Sequence, residues 1–345
     1  MKDELTPSGI VEAVERQHKA TLGLRTRMED DFQDRWLLKS FPVDEGYQSY
    51  TTNESRAMAS KVMSWIVDAK MGIRIPLGQK AEPDRKRDSA KERFIRGMFR
   101  SVDEELERQF LPSLLDQLAF YTVVRGFAFG RAMISKDKDG ETFFDVLPWD
   151  PLHTYWSVGR RGLLWMAYRV NRSVADIRSE YPDHKFPKDI DETDEYEVVD
   201  YYDTENNSVV INDSTTPDRE TEDGSGWLKE PEPHGAEVVP CFYAVQGHAP
   251  PIQADANGGG DDKLEGAVAD FGESIWATNR AKYDSFNENM SDMKTLIRRA
   301  RSPTYTIKSR DGTRVLEKDP FAGGGEIVLK EGETLEILEW IKMPP

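Results

Sequence analysis

The chain has 345 residues and carries 63 Asp and Glu against 46 Lys and Arg, for a formal net charge of −17. That length exceeds what one compact core usually organises and predicts two or more domains. The acidic balance supplies no global positive field for wrapping nucleic acid or lying on an anionic membrane. With 38% hydrophobic residues, including 8 Trp, 12 Tyr and 15 Phe, the chain is too aromatic to stay disordered. The single cysteine, Cys241, excludes an intrachain disulfide framework and a thiolate-rich zinc site, which fits a reducing or redox-indifferent setting. The N-terminal MKDELTPSGI lacks the apolar stretch of a secretion signal, and no run approaches the roughly 20 apolar residues of a membrane span. Lys2 to Leu5 spell a retention address at the wrong end of the chain, a coincidence.

Thr6-Pro7 reads as a cap followed by a proline at the first helical position, and Ile10, Val14, Leu24, Met28 and Phe32 continue at helical spacing. A helix is predicted over about 7–38. A second, short and amphipathic, begins near Thr52-Asn53 with Met58, Val62, Trp65 and Ala69 on one stripe, and stops before Gly72 and Pro76. From Pro83 the chain is charged and helical, with Phe94, Met98, Val102, Leu106, Phe110, Leu114 and Leu118 recurring every fourth residue. At about 100° per residue such a stripe drifts by about 40° per step, so several partners or a bend must bury it. Pro112 is where a bend is expected, giving two packed segments.

After Gly126 short aromatic and β-branched runs alternate with turn residues, the signal of strands and hairpins. Phe129 to Ser135 and Thr142 to Leu147 flank Asp139-Gly140, and His153 to Val158 and Leu163 to Arg169 flank Gly159 to Gly162. Ser173 to Asp176 open a short helix ending at Tyr181-Pro182; strands follow at Glu195 to Tyr202 and Ser208 to Asn212. Residues 213–235 show no periodicity and read as a long loop. A strand over Glu237 to Val245 leads into a Gly/Pro-rich linker over 247–262. A long helix is then predicted from about Lys263 to Arg301, with Val268, Phe271, Ile275, Asn279, Phe286, Met290, Met293 and Ile297 near one stripe. It would extend on the order of 55 Å. The tail returns to β signals at Thr304 to Lys308, Glu326 to Leu329 and Thr334 to Leu338.

No segment fits a Walker A loop, a dinucleotide-binding turn, HExxH, an EF-hand or a GxSxG elbow. The Gly258 to Gly260 and Gly323 to Gly325 runs lack the Lys-Ser/Thr and following helix of a phosphate loop and read as flexible joints. His18, His153, His184, His234 and His248 are scattered without ligand spacing. A metal-dependent nuclease needs only two or three converging carboxylates; Asp145, Asp150 and Asp200, near strand ends, are the candidates, against the plainer reading as solvated turn residues. The expectation is no catalytic activity and no cofactor or metal.

The order of features resembles the portal, or head-to-tail connector, family of tailed bacteriophages. The residues that carry the likeness are YTTNESRAMASKVMSWI (Tyr50 to Ile66), VVRGFAFGRAMI (Val123 to Ile134), DVLPWDPLHTYWSVGRRGLLWMAYR (Asp145 to Arg169) and SVADIRSEYP (Ser173 to Pro182). VVPCFYAVQGHAPP (Val238 to Pro251) and the run Phe271 to Pro303 follow in the same order. Each is a loose pattern and none is a catalytic signature, though together they cover most of the chain.

The resemblance implies an α+β chain with a mainly helical wing holding a small hairpin-rich β subdomain over residues 1–262 (helices to about 126, β-rich 127–246, linker 247–262). A stem helix over 263–301 and a small β-rich clip over 302–345 would follow. The family's second stem helix, tunnel loop and crown have no counterpart here, the expectation for a truncated or split product. It further implies a homododecameric ring at a capsid vertex of the virion, assembled in the host cytoplasm, passing double-stranded DNA without sequence specificity. The implied partners are a terminase motor, a head-tail adaptor and the major capsid protein, with no membrane. A Mg-dependent phage nuclease and a monomeric helical adaptor are the alternatives.

An acidic wall suits a conduit, because each phosphate neutralised by a cation adds affinity through counterion release and would slow passage. Lys294, Arg298, Arg299 and Arg301 form a basic cluster in the last turns of the stem helix; they offset the helix dipole, pair between subunits, or present a ring of charge to DNA. Ile275, Phe286, Met290, Met293 and Ile297 are the expected stem packing residues, on neighbouring subunits rather than on the wing. Ile327, Leu329, Leu335 and Ile337 are the expected apolar contacts of a clip hairpin. Trp149, Tyr155, Trp156 and Trp165 are expected to fill a hairpin core rather than a subunit interface.

Overall fold

The computed structural model describes residues 5–44, 47–69, 82–136, 142–160, 162–184, 186, 190–212, 226–247, 272–301, 305–309, 312–315 and 329–337. It contains both helices and antiparallel sheets, an α+β chain. Two compact units emerge: Met1–Trp36 with Arg56–Thr278, and Leu37–Ser55 with Asn279–Pro345.

In the first unit, α1 (Pro7–Ala20) starts where the Thr6 side chain accepts the Gly9 N–H, with Pro7 in the first turn. The expected continuous helix is broken at Thr21 (φ −113°, ψ 14°), whose hydroxyl donates to the Gln17 carbonyl at 2.8 Å. α2 (Leu22–Asp30) follows and passes into a π-helical turn over Asp31–Trp36. α3 (Glu54–Asp68) buries Ala59, whereas Trp65, placed on the apolar stripe by its spacing, is 61% exposed beneath the Lys61 ammonium. Gly72 and Pro76 lie outside the described residues.

α4 (Glu82–Arg108) ends before Pro112. The Phe110 N–H bonds the Glu107 carbonyl at 3.0 Å and the Leu111 N–H bonds the Leu106 carbonyl at 2.9 Å, the paired bonds of a Schellman end. The bend therefore comes from this cap, and Ser113 then caps α5 (Leu114–Phe120) by accepting the Asp116 N–H. Val102, Leu106 and Leu114 are buried together as the stripe requires, but Phe110 sits at φ 58° and 98% exposed.

The strands are β1 (Phe127–Lys136), β2 (Thr142–Trp149), β3 (Thr154–Gly159) and β4 (Gly162–Ser173); after α6 (Val174–Glu180) come β5 (Glu195–Asp203), β6 (Asn206–Asn212), β7 (Trp227–Pro233) and β8 (Cys241–Val245). They form one sheet of order β2-β1-β8 and another of order β3-β4-β5-β6-β7. The two expected hairpins are present as antiparallel pairs, and the strands expected after α6 pair with each other in the same way. Two readings change. Residues 227–233, expected in a loop, form β7; it pairs with β6 through register shifts and holds Pro231 and Pro233, which only an edge strand accommodates. The strand expected from Glu237 begins only at Cys241.

Alternation along β5 sorts the interior. Val199 and Tyr201 meet Ile10 and Val14 of α1 on one face. On the other, Tyr202 joins Met166, Phe127, Phe129 and Trp149 between the two sheets, and Val198 packs with Ile177 of α6. Trp149 and Tyr155 are buried, and Trp156 and Trp165 pack at the edges of the same clusters.

The described chain resumes at Gly272. The Gly272 N–H donates to the Gln246 carbonyl, the Gln246 N–H to the Gly126 carbonyl, and the Ile275 N–H to the Val123 carbonyl, at 2.9, 2.8 and 3.0 Å. Gly126 (φ 82°) and Gly272 (φ 67°) approach so closely that a Cβ on Gly126 would lie 2.3 Å from the Gly272 carbonyl oxygen. Trp276 is fully buried. These attachments hold 272–276 in a non-helical path, so the helix predicted from Lys263 is corrected: the described helix α7 spans Arg280–Arg301, after a 3-10 turn at Ala277–Asn279. Residues 263–271 lie outside the described residues.

The second unit contains α7, an extended segment before α3, and a small sheet of order β10-β9-β11 formed by β9 (Tyr305–Ser309), β10 (Gly312–Val315) and β11 (Thr334–Ile337). β11 pairs with β9, whereas the sequence points to a hairpin between 326–329 and 334–338; residues 326–328 and 338 lie outside the described residues. β10 has no counterpart among the predicted strands, because four residues carry too little alternation to register.

Candidate functional site

The three carboxylates singled out from sequence do not converge. Arg131 on β1 lies between Asp145 on β2, at 2.7 Å, and Asp200 on β5, at 3.2 Å. It also donates to the Tyr202 hydroxyl at 2.8 Å. Asp150, by contrast, caps the turn after β2 through the Leu152 N–H and faces Arg125 at 3.4 Å. Asp145 and Asp200 thus share a guanidinium where the metal reading needed a cation between them. Among the described residues no group of three His, Cys, Asp or Glu is placed to hold a metal ion.

Burial pushes the Asp200 carboxyl up to about 6, against the opposing pull of Arg131 and the Tyr202 hydrogen bond. Burial likewise pushes the neighbouring Cys241 thiol up, which keeps it protonated and unreactive. The imidazoles of His18, His153 and His184 are all held below the usual range by burial, aided at His18 by Arg169 and Arg25. Tyr155 carries the Arg25 guanidinium 3.9 Å and the Arg169 guanidinium 5.1 Å from its ring centre, and Arg169 also pairs with Glu15 of α1 at 2.6 Å, a polar clamp that fastens α1 and α2 to the larger sheet.

The surface with most to offer is α7. One face carries Asn287, Ser291 and Thr295, one turn apart and all buried. Along it runs the extended segment of residues 47–52 in the opposite direction. The Thr52 N–H donates to Asn287 Oδ1 at 3.0 Å, the Tyr50 N–H to Ser291 Oγ at 2.9 Å, and the Gln48 N–H to Thr295 Oγ1 at 2.8 Å. Alternate amides of a strap are therefore satisfied by side chains rather than by a neighbouring strand. Lys294 Nζ lies 4.1 Å from the centre of the Tyr50 ring.

The face turned away from the strap is the apolar one. Phe286, Met293, Leu296 and Ile297 are 42, 53, 43 and 47% exposed, and Met290 is half-buried. Ile275, expected on the same stripe, is not part of this helix and belongs to the first unit. Of the basic cluster, Lys294 covers Tyr50 and Arg298 is exposed, while the side chains of Arg299 and Arg301 lie outside what is described. Of the expected clip contacts, Leu335 is half-buried opposite Ile307, and Leu329 is 37% exposed. Ile327 and the side chain of Ile337 lie outside the described residues. Reading the sequence for apolar stripes passes over the polar ladder of α7, although Asn, Ser and Thr at four-residue spacing opposite such a stripe are the signal that marks it.

No helix among the described residues is long and apolar enough to cross a membrane. No family model and no curated protein sequence matches the chain.

Proposed function

We propose that this chain is a structural, ring-forming subunit of a DNA conduit, as its resemblance to tailed-phage portal proteins implies. The observation that carries the proposal is α7: its polar face is occupied by the chain's own strap, and its apolar face stands in water. A row of Phe, Met, Leu and Ile on one helix face is the surface that a neighbouring helix covers. In this reading the first unit is the wing, α7 the stem, and the β9 to β11 sheet the clip. Copies assemble into a dodecamer at the portal vertex of the virion, and the net charge of −17 lets double-stranded DNA slide rather than adhere. The motor, the adaptor and the major capsid protein are its partners. The Asp145–Arg131–Asp200 cluster supports a structural rather than a nuclease reading of those carboxylates, since its centre is already a side-chain cation.

Negative-stain imaging of the purified full chain tests the proposal. Rings with a central opening are the expected result; particles of single-subunit size at all concentrations would overturn it and favour the monomeric adaptor.

A further inference from the structure

The geometry points to the receiving surface for the α7 stripe: the groove between α7 and the strap on a second copy of this chain. This inference rests on the ring-forming reading and adds to it the face on which each neighbour docks. At about 100° per residue, Phe286, Met290, Met293 and Ile297 fall within about 60° of one another, and Asp284, Glu288 and Asp292 cluster about 190° away. One helix thus presents an apolar face and, almost diametrically opposite, an acidic one.

The acidic side is hollow. Between α7 and the strap lies a groove of about 430 Å³ whose walls include Phe41, Val43, Asp44, Tyr47, Glu288 and Asp292. Val43 and Tyr47 are 37 and 43% exposed, so the groove offers apolar walls inside an acidic rim. The stripe is complementary in both respects. Lys282 and Lys294 flank it at about 50° and 70° on its two sides, both exposed, and no acidic residue of α7 shares that half of the helix.

Two complementary surfaces on opposite sides of one element fit a head-to-tail contact, which closes into a ring, and not a two-fold contact in which one patch meets itself. Copy after copy, the stripe enters the groove of the next subunit, with Lys282 and Lys294 against Asp44, Glu288 and Asp292. The strap is then part of the interface, and its hydrogen-bond ladder sets one wall of the groove.

Charge reversal on each face separately, in the full chain, tests this. One variant carries Glu288→Lys and Asp292→Lys, and the other Lys282→Glu and Lys294→Glu; thermal melting and circular dichroism establish that each is folded. Native mass spectrometry is expected to show that each variant alone needs at least about tenfold higher concentration than the parent to assemble, because like charges now face each other. Mixed in equal amounts the two should assemble as the parent does, since in alternation the reversed groove of one variant meets the reversed stripe of the other and the two unreversed faces meet each other, so opposite charges face at every contact. Assembly of either variant alone at parental concentration, or failure of the mixture to recover, overturns the docking surface while leaving the ring reading in place. A parent chain that stays monomeric overturns both, and a parent that stops at a dimer overturns the head-to-tail contact.

Discussion

The Tyr50 amide donates to Ser291 Oγ at 2.9 Å, and the same hydroxyl lies 3.3 Å from the Tyr50 carbonyl oxygen. The pair is the middle rung of a ladder that works because two periodicities nearly coincide. Four residues of α-helix rise about 6 Å, and two residues of extended chain advance about 6.6 Å. Asn287, Ser291 and Thr295 therefore stay in step with Thr52, Tyr50 and Gln48 over three rungs.

Ser291→Ala removes the middle rung and leaves a part-buried amide without its acceptor, at a cost of about 1–3 kcal/mol. The loss is local. Hydrogen exchange at the Gln48, Tyr50 and Thr52 amides should accelerate by about tenfold or more, with the exchange of β4 and β5 unchanged. Equal exchange rates in parent and variant would show that the strap is held by something other than the ladder.

Arg131→Met should destabilise the first unit by about 3–5 kcal/mol at neutral pH, because Asp145 and Asp200 lose the guanidinium they share. Urea unfolding measures it. A loss below about 1 kcal/mol would mean that the two carboxylates are satisfied by solvent.

A second consequence concerns pH. The folded-state value for Asp200, about 6, lies above the ordinary carboxyl value of 3.8, so the folded protein binds the proton more tightly than the unfolded chain does. Stability from this group is fully present below about 4 and is lost as pH rises through about 6. Relative to Asp200→Asn, the parent should therefore lose stability between pH 4 and pH 6, at up to about 1.4 kcal/mol per pH unit. Parallel stability curves for the two proteins over that range would contradict the assignment.

Phe110 occupies the left-handed position that ends α4, where a side chain costs about 1 kcal/mol and glycine costs none in strain. Its ring is 98% exposed and returns little of that cost through burial. Phe110→Gly should leave stability unchanged or raise it by up to about 1 kcal/mol. A clear destabilisation in urea would show that the ring packs against a surface not apparent in the single chain.

How much of the fold is legible in the sequence depends on how local the signal is. Thr6 and Ser173 announce their helices because a cap reports on the next three residues, and each accepts the amide three residues on. The hairpins are legible because alternation and turn residues sit side by side in sequence. The start of α7 is not: the residues before it are held by Gln246 and Val123, contacts that periodicity does not encode. β7 is hidden by prolines that sheet edges tolerate. The strap is hidden for a further reason, since its hydrogen-bond partners lie about 240 residues away and are side chains. Asp145 and Asp200 do share one partner, but the arginine between them comes from a third strand, and nothing near either carboxylate in sequence announces it.

The most direct test is native mass spectrometry of the full chain beside a variant carrying Phe286→Asp and Ile297→Asp, both exposed, so that folding of the single chain is spared. The parent should appear as a closed oligomer and the variant as a monomer whose circular dichroism spectrum matches the parent's. A parent that remains monomeric throughout the micromolar range, or a variant that assembles as fully as the parent, would contradict the claim that α7 builds a ring.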